Sequence, residues 1–174
     1  PHPSVHLVLD SDGNSSVAGI PRGRFTRTLE GRGRVLGTKF RPGGFRPFFV
    51  GPISRLTGRR VPIAEGFGQE VLELERAALG EADPARAFEW VEAFLLARQP
   101  QPDPRIAEVA AMAELAASDR GITRVDQLAA RFGLGERRLQ RLFAEYVGVS
   151  PKWVIQRYRL HEAAERIAAD PSVE

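Results

Sequence analysis

Arg137, Arg138, Gln140 and Arg141 place four hydrogen-bonding side chains within five residues, three of them permanently charged. A guanidinium presents paired N–H donors that match a guanine edge or a phosphate. A glutamine amide presents the donor and acceptor that match an adenine edge. On a helix over 136–147, residues 137 and 141 lie one turn apart with 140 beside them, so Arg137, Gln140 and Arg141 share a face. Ser150 and Lys152 stand where another helix is expected to begin, and the free N–H groups of a helix start favour an anion. The chemistry on offer is therefore recognition of a polyanion without covalent steps. Arg138 and Lys152 are expected on phosphate, and Ser150 is expected to cap its helix and to meet phosphate as well. The plainer reading is a helical hairpin with a solvated basic face.

Such side chains need a scaffold, and residues 125–144 supply one. Leu128, Phe132, Leu139 and Leu142 fall where two crossed helices must share a core, and Ala129 is small where they approach. Gly133 follows Phe132 where the first helix must stop, and glycine tolerates the left-handed backbone of such a stop. The pattern is that of a helix-turn-helix, whose second helix enters a DNA major groove.

The rest of the chain bounds the reading. Its 174 residues are 43% hydrophobic, enough for one ample domain or two small ones. No apolar run approaches the ~18–20 residues that span a bilayer, and no signal peptide opens the chain. A membrane partner is not expected, and a cytoplasmic location is. With no cysteine, disulfides, thiolate metal sites and cysteine nucleophiles are excluded. His2 and His6 are four apart but zinc needs three convergent ligands, and His161 stands alone on a helix, so no metal or cofactor is expected. No catalytic constellation survives this inventory, and an enzyme is not expected. The single methionine is Met112, so Pro1 is not a natural start and the chain is expected to be a fragment or one trimmed after synthesis.

Net charge is +3, but its distribution is uneven. Residues 20–60 hold eleven Arg or Lys against Glu30 alone, while residues 61–100 hold eight acids against three Arg. Residues 131–159 hold seven basic residues against Glu136 and Glu145, a local basic patch of the kind DNA binding needs. The 20–60 segment admits two readings. One is a second nucleic-acid surface or a pocket for an anionic effector. The other, preferred here, is a solvated sheet face, part of whose charge pairs the acidic segment behind it.

Short strands are expected at 5–9, 25–29 and 34–40, spaced as in a small sheet or barrel portion. Helical periodicity begins at residue 65. One helix is expected from Phe67 to Leu79 and a second from Asp83-Pro84 to Ala97, with Phe88, Val91, Phe94 and Leu95 at helical spacing. A proline-rich linker covers 100–104. Asp103-Pro104 then starts a third helix, and Ser150-Pro151 starts a last one that offers Trp153, Val154, Tyr158, Leu160 and Ile167 to the core. Trp153 and Tyr158 are expected to pack rather than to stack on bases.

Leu139-Gln140-Arg141-Leu142-Phe143, then Gly148-Val149-Ser150-Pro151 and Tyr158-Arg159-Leu160-x-x-Ala163, resemble the AraC/XylS family of bacterial transcription regulators over about 105–170. The resemblance implies two helix-turn-helix units joined by one long helix, here 151–169. A second unit should follow Glu174, which again suggests a fragment. It also implies that Arg137, Gln140 and Arg141 read bases. The stretch 31–48 more loosely resembles the sensing domain of one regulator subgroup, a β-barrel-like half followed by helices that receives a signal or dimerises. Double-stranded DNA is the implied partner, with a small-molecule effector and a homodimer beside it.

The expected fold is α+β: a small N-terminal antiparallel sheet or half-barrel with helices over 1–99, then an all-α, homeodomain-like helix-turn-helix domain over 105–174. The leading function is sequence-specific DNA binding in transcription regulation. The alternative is a small-molecule-binding or protein-interaction module with the helices as scaffold. The two differ in one observable. DNA binding needs Arg137, Arg138 and Arg141 exposed and free of acids, whereas the module would tie them to acids such as Glu108 and Glu114.

Overall fold

The structure, a computed structural model, describes residues 2–23, 26, 32–98 and 101–169. Four strands form one antiparallel sheet: β1 (His6–Asp10), β2 (Ser16–Ala18), β3 (Val35–Lys39) and β4 (Arg60–Pro62), in the order β3-β1-β2-β4. The register places Leu9 opposite Leu36, Leu7 opposite Val17 and Val17 opposite Val61, all buried. Alternating side chains thus gather one apolar face. The strand expected at 25–29 lies outside the described residues except for Thr26.

Helices α1 (Ile63–Phe67), α2 (Val71–Gly80) and α3 (Pro84–Ala97) cover that face. The single helix expected from Phe67 to Leu79 is instead two, broken at Gly68, whose φ of 81° no continuing helix allows. α3 begins as expected, with the Asp83 carboxylate accepting from Ala85 N–H at 2.9 Å. Phe88 does not join the core: Ala87 and Val91, four apart, take the inward face and leave Phe88 49% exposed. Phe40, Phe45, Phe67 and Phe94 link in edge-on pairs with centroids 4.9–5.7 Å apart and fill the space between sheet and helices.

The second apolar cluster is helical. It is built from α4 (Pro104–Ser118), α5 (Val125–Arg131), α6 (Glu136–Leu142), a π-turn (Phe143–Val147) and α7 (Pro151–Ala169). Val154 and Ile155 carry the buried face of α7, and Trp153 and Tyr158 pack partly against it. Leu160, offered to the core by periodicity, is 60% exposed because it lies on the outer face of α7 between the partly buried Arg159 and His161, and Ile167 is 55% exposed where α7 runs out past the helices it packs on. Ile20, from the sheet half, is buried in this second cluster.

The two halves touch through 3-10 turns at Arg46–Phe48 and Ile53–Arg55 that rest on the π-turn. Arg46 donates to Glu145 at 2.6 Å, and Thr57 Oγ1 donates to the Gly148 carbonyl at 2.5 Å.

Candidate nucleic-acid interface

α6 is held by what it buries. Leu139 and Phe143 are 0% exposed and meet Leu128 and Ala129 of α5, while Phe132 and Leu142 pack half-buried beside them. α5 starts where the Gln127 side chain turns back and accepts from the N–H groups of Thr123 and Arg124 at 2.9 and 3.0 Å. It ends at Gly133, with φ 62° as the sequence required, and the Leu134 N–H returns to the Ala129 carbonyl at 3.0 Å. Gly135 enters α6 in extended conformation, and Glu136 sits in its first turn, where the helix dipole favours a carboxylate.

The expected helix over 136–147 is therefore α-helical only to Leu142. From Phe143 it widens into a π-turn, and the Gly148 N–H reaches the Phe143 carbonyl at 2.7 Å. Gly148 closes it with φ 99°.

Arg137, Arg138, Gln140 and Arg141 all point to solvent. None of the four has a side-chain hydrogen bond or ion pair with another described residue, and neither Glu108 nor Glu114 reaches them. Three guanidinium charges thus stand on one short helix with no acid paired to them among the described residues. Lys152, in the first turn of α7, is exposed and likewise unpartnered among the described residues. The Ser150 Oγ accepts from the Trp153 N–H at 3.1 Å, so Ser150 caps α7.

The wider basic patch is smaller in the fold than in the sequence. Arg131 pairs with Asp119 at 3.0 Å, and Arg159 donates to the Asp119, Ala116 and Ala117 carbonyls at the end of α4. Arg157 is also engaged. Within 131–159, the cations left without a partner among the described residues gather on α6 and at the start of α7. Two arginines of the 20–60 segment turn to partners other than the carboxylates of the acidic segment behind it. Arg34 donates to the Leu79 and Glu81 carbonyls at the end of α2, and Arg46 goes to Glu145.

Residues 128–174 match the model of a helix-turn-helix domain, and residues 1–62 match a domain of unknown function (DUF6597). The chain carries an AraC-type, DNA-binding helix-turn-helix. With the N-terminal match, this is consistent with a regulator of the AraC/XylS family. The helix-turn-helix match takes in α6, α7 and every side chain singled out for DNA. No curated protein and no solved structure matches the chain. Among the described residues no helix is long and apolar enough to cross a membrane, and no group of three His, Cys, Asp or Glu could hold a metal.

Sequence reading passed over the joint behind this AraC-type unit. The Tyr146 hydroxyl donates to Asp103 at 2.5 Å, and Asp103 also accepts from the Arg105 backbone and side chain at 3.0 Å. Its hydrogen bond from Arg105, then that from Tyr146, holds the Asp103 carboxyl at about 2, and burial with the bond to Asp103 pushes Tyr146 up to about 12. An open groove of ≈ 810 Å³ at this joint is lined by Arg46, Asp103, Arg105, Glu145 and Tyr146, with both arginines already met by carboxylates. His161, expected to be alone, stacks on His2 with ring centroids 6.1 Å apart. No local signal joins residues this far apart in sequence.

Proposed function

We propose that the chain is a sequence-specific DNA-binding transcription regulator, with α6 lying in the major groove of double-stranded DNA. Arg137, Gln140 and Arg141 contact bases, and Arg138, Lys152 and the capped start of α7 at Ser150 contact phosphates. One observation carries the reading: the three arginines of α6 are exposed, with no acidic partner among the described residues, on a helix fixed by Leu139 and Phe143. The module alternative asked for those arginines to be tied to acids such as Glu108 or Glu114. In this reading the sheet half receives a signal, from a small effector or a second copy of the chain, and the reaction inventory stays empty.

The test is selection of binding sites from random duplexes with this chain. A shared motif should emerge, and its affinity should fall steeply with salt. A recovered pool with no common sequence would overturn the reading.

A further inference from the structure

The 20–60 segment holds eleven of the chain's 25 Lys and Arg against one acid, and the reading head does not account for that excess. Its fold brings part of that charge to the DNA-binding unit. The Gly58 N–H donates to the Ile20 carbonyl at 2.8 Å, the Gly19 N–H to the Arg59 carbonyl at 3.0 Å, and the Arg59 N–H to the Leu56 carbonyl at 2.9 Å. Residues 19–22 and 56–59 are thus pinned side by side. Ile20, Ile53 and Leu56 are buried beneath them. The Arg22 stem lies over Gly58, 3.1 Å from where a Cβ would stand, and the Arg55 guanidinium lies over Gly51 in the same way at 3.0 Å. Arg22, Arg55 and Arg59 are all exposed, and none has a hydrogen-bond or ion-pair partner for its side chain among the described residues.

This turn is the seat of the α6–α7 connection. Gly148 fits between Ile53 and Thr57 so closely that a Cβ would stand 3.0 Å from the Ile53 carbonyl oxygen and from Thr57 Oγ1. Gly148 is two residues from Ser150, whose side chain opens α7, and four from Lys152. The acid of the π-turn, Glu145, is taken by Arg46 at 2.6 Å and does not offset the three arginines. With ~3.8 Å between successive Cα atoms, Arg55 and Arg59 stand within about 8 Å of Thr57 along the chain. Thr57 in turn bonds the carbonyl of Gly148, so the turn that carries them is tethered to the segment that enters α7.

We propose that Arg22, Arg55 and Arg59 form a second phosphate-contacting surface, which extends the grip of the helix-turn-helix along the DNA backbone on the α7 side. The inference rests on the reading that α6 binds duplex DNA. Duplex DNA is favoured over a small anion because the three cations are exposed around a turn, and because that turn is bonded through Thr57 to Gly148, two residues before the cap of α7.

The experiment measures affinity for the selected duplex across a potassium chloride series. It compares the parent chain, the triple variant R22A/R55A/R59A, the triple Arg→Lys variant, and R137A/R141A as the reading-head control. Each phosphate contact contributes about 0.9 to the slope of log affinity on log salt. The alanine triple should lose about 2 to 3 units of slope and still select the same sequence, and the lysine triple should restore most of that slope. Shortening the duplex on the α7 side should produce the same loss in the parent and none in the alanine triple. An alanine triple with the parent slope overturns the inference and leaves the reading of α6 standing. Loss of inorganic phosphate binding with an unchanged slope overturns it in favour of a small-anion site. A parent chain that binds no duplex better than R137A/R141A does overturns both.

Discussion

Thr57 donates its hydroxyl proton to the carbonyl of Gly148 at 2.5 Å, which ties the sheet half to the turn between α6 and α7. Gly148 is doubly constrained there. Its φ of 99° is costly for any residue with a side chain, and Ile53 and Thr57 leave no space for one. Gly148→Ala is expected to destabilise the chain by about 3 kcal/mol, from backbone strain plus displacement of Ile53. Thr57→Val keeps the shape and leaves the carbonyl unmet, at a cost of about 1–2 kcal/mol. Urea unfolding measures both; a Gly148→Ala variant as stable as the parent means the seat is not tight.

The Asp103–Tyr146 bond makes stability depend on pH at both extremes. The folded pKa of Asp103 is held near 2, below its unfolded value of about 3.9. Its contribution is therefore present above that unfolded value and is lost as pH falls toward 2. Tyr146 is raised to about 12 from about 10. Its contribution is complete below pH 10 and is lost as pH rises from 10 to 12, because the unfolded chain releases that proton first. Tyr146→Phe should flatten the alkaline limb of Tm against pH relative to the parent, while the acid limb persists through Arg105. An alkaline limb of unchanged steepness in Tyr146→Phe would remove Tyr146 as its source.

Arg159 was counted in the basic patch, but the fold gives its guanidinium a different task. It donates to three carbonyls at the end of α4, at 2.9–3.2 Å, and its Nε lies 3.6 Å from Glu162. The last carbonyls of a helix have no partner within it, so a cation there both bonds them and suits the dipole. Arg159→Met should cost about 1.5–3 kcal/mol. It should also speed hydrogen exchange in the last turn of α4 more than elsewhere, without changing the DNA sequence selected. A shifted sequence preference would return Arg159 to the reading surface.

Helix ends were legible because their signals are local. Asp83-Pro84, Asp103-Pro104 and Gly133 act within a turn of themselves, and the structure starts or stops helices at each. The outward set on α6 was legible for the same reason, since Leu139 and Phe143 fix which side is in. β2 and β4 were not legible. Three residues carry no alternation to read, and their pairing depends on partners far along the chain. The basic patch was overcounted because Asp119, which takes Arg131, and the α4 carbonyls, which take Arg159, come from another element. Arg46 and Glu145, 99 residues apart, belong to the same class.

Base contacts and phosphate contacts should separate in their response to sequence and to salt. Arg141 has no partner among the described residues on the face it shares with Arg137 and Gln140, so none of them holds it away from a base edge. Arg141→Ala should weaken the selected site by about 1–3 kcal/mol and relax one base position, because a guanidinium against O6 and N7 of guanine rejects the other bases. Gln140→Ala should do the same at a neighbouring position that favours adenine. Lys152 carries its charge on a flexible stem beside the capped start of α7, a geometry that suits phosphate and reads no sequence. Lys152→Ala should therefore weaken selected and random duplexes alike and lower the salt slope by about 1. Competition of each variant against a panel of single-base changes separates the cases. If Arg141→Ala lowers affinity evenly across that panel, its guanidinium sits on phosphate, and α6 lies in the groove turned away from the face assigned here.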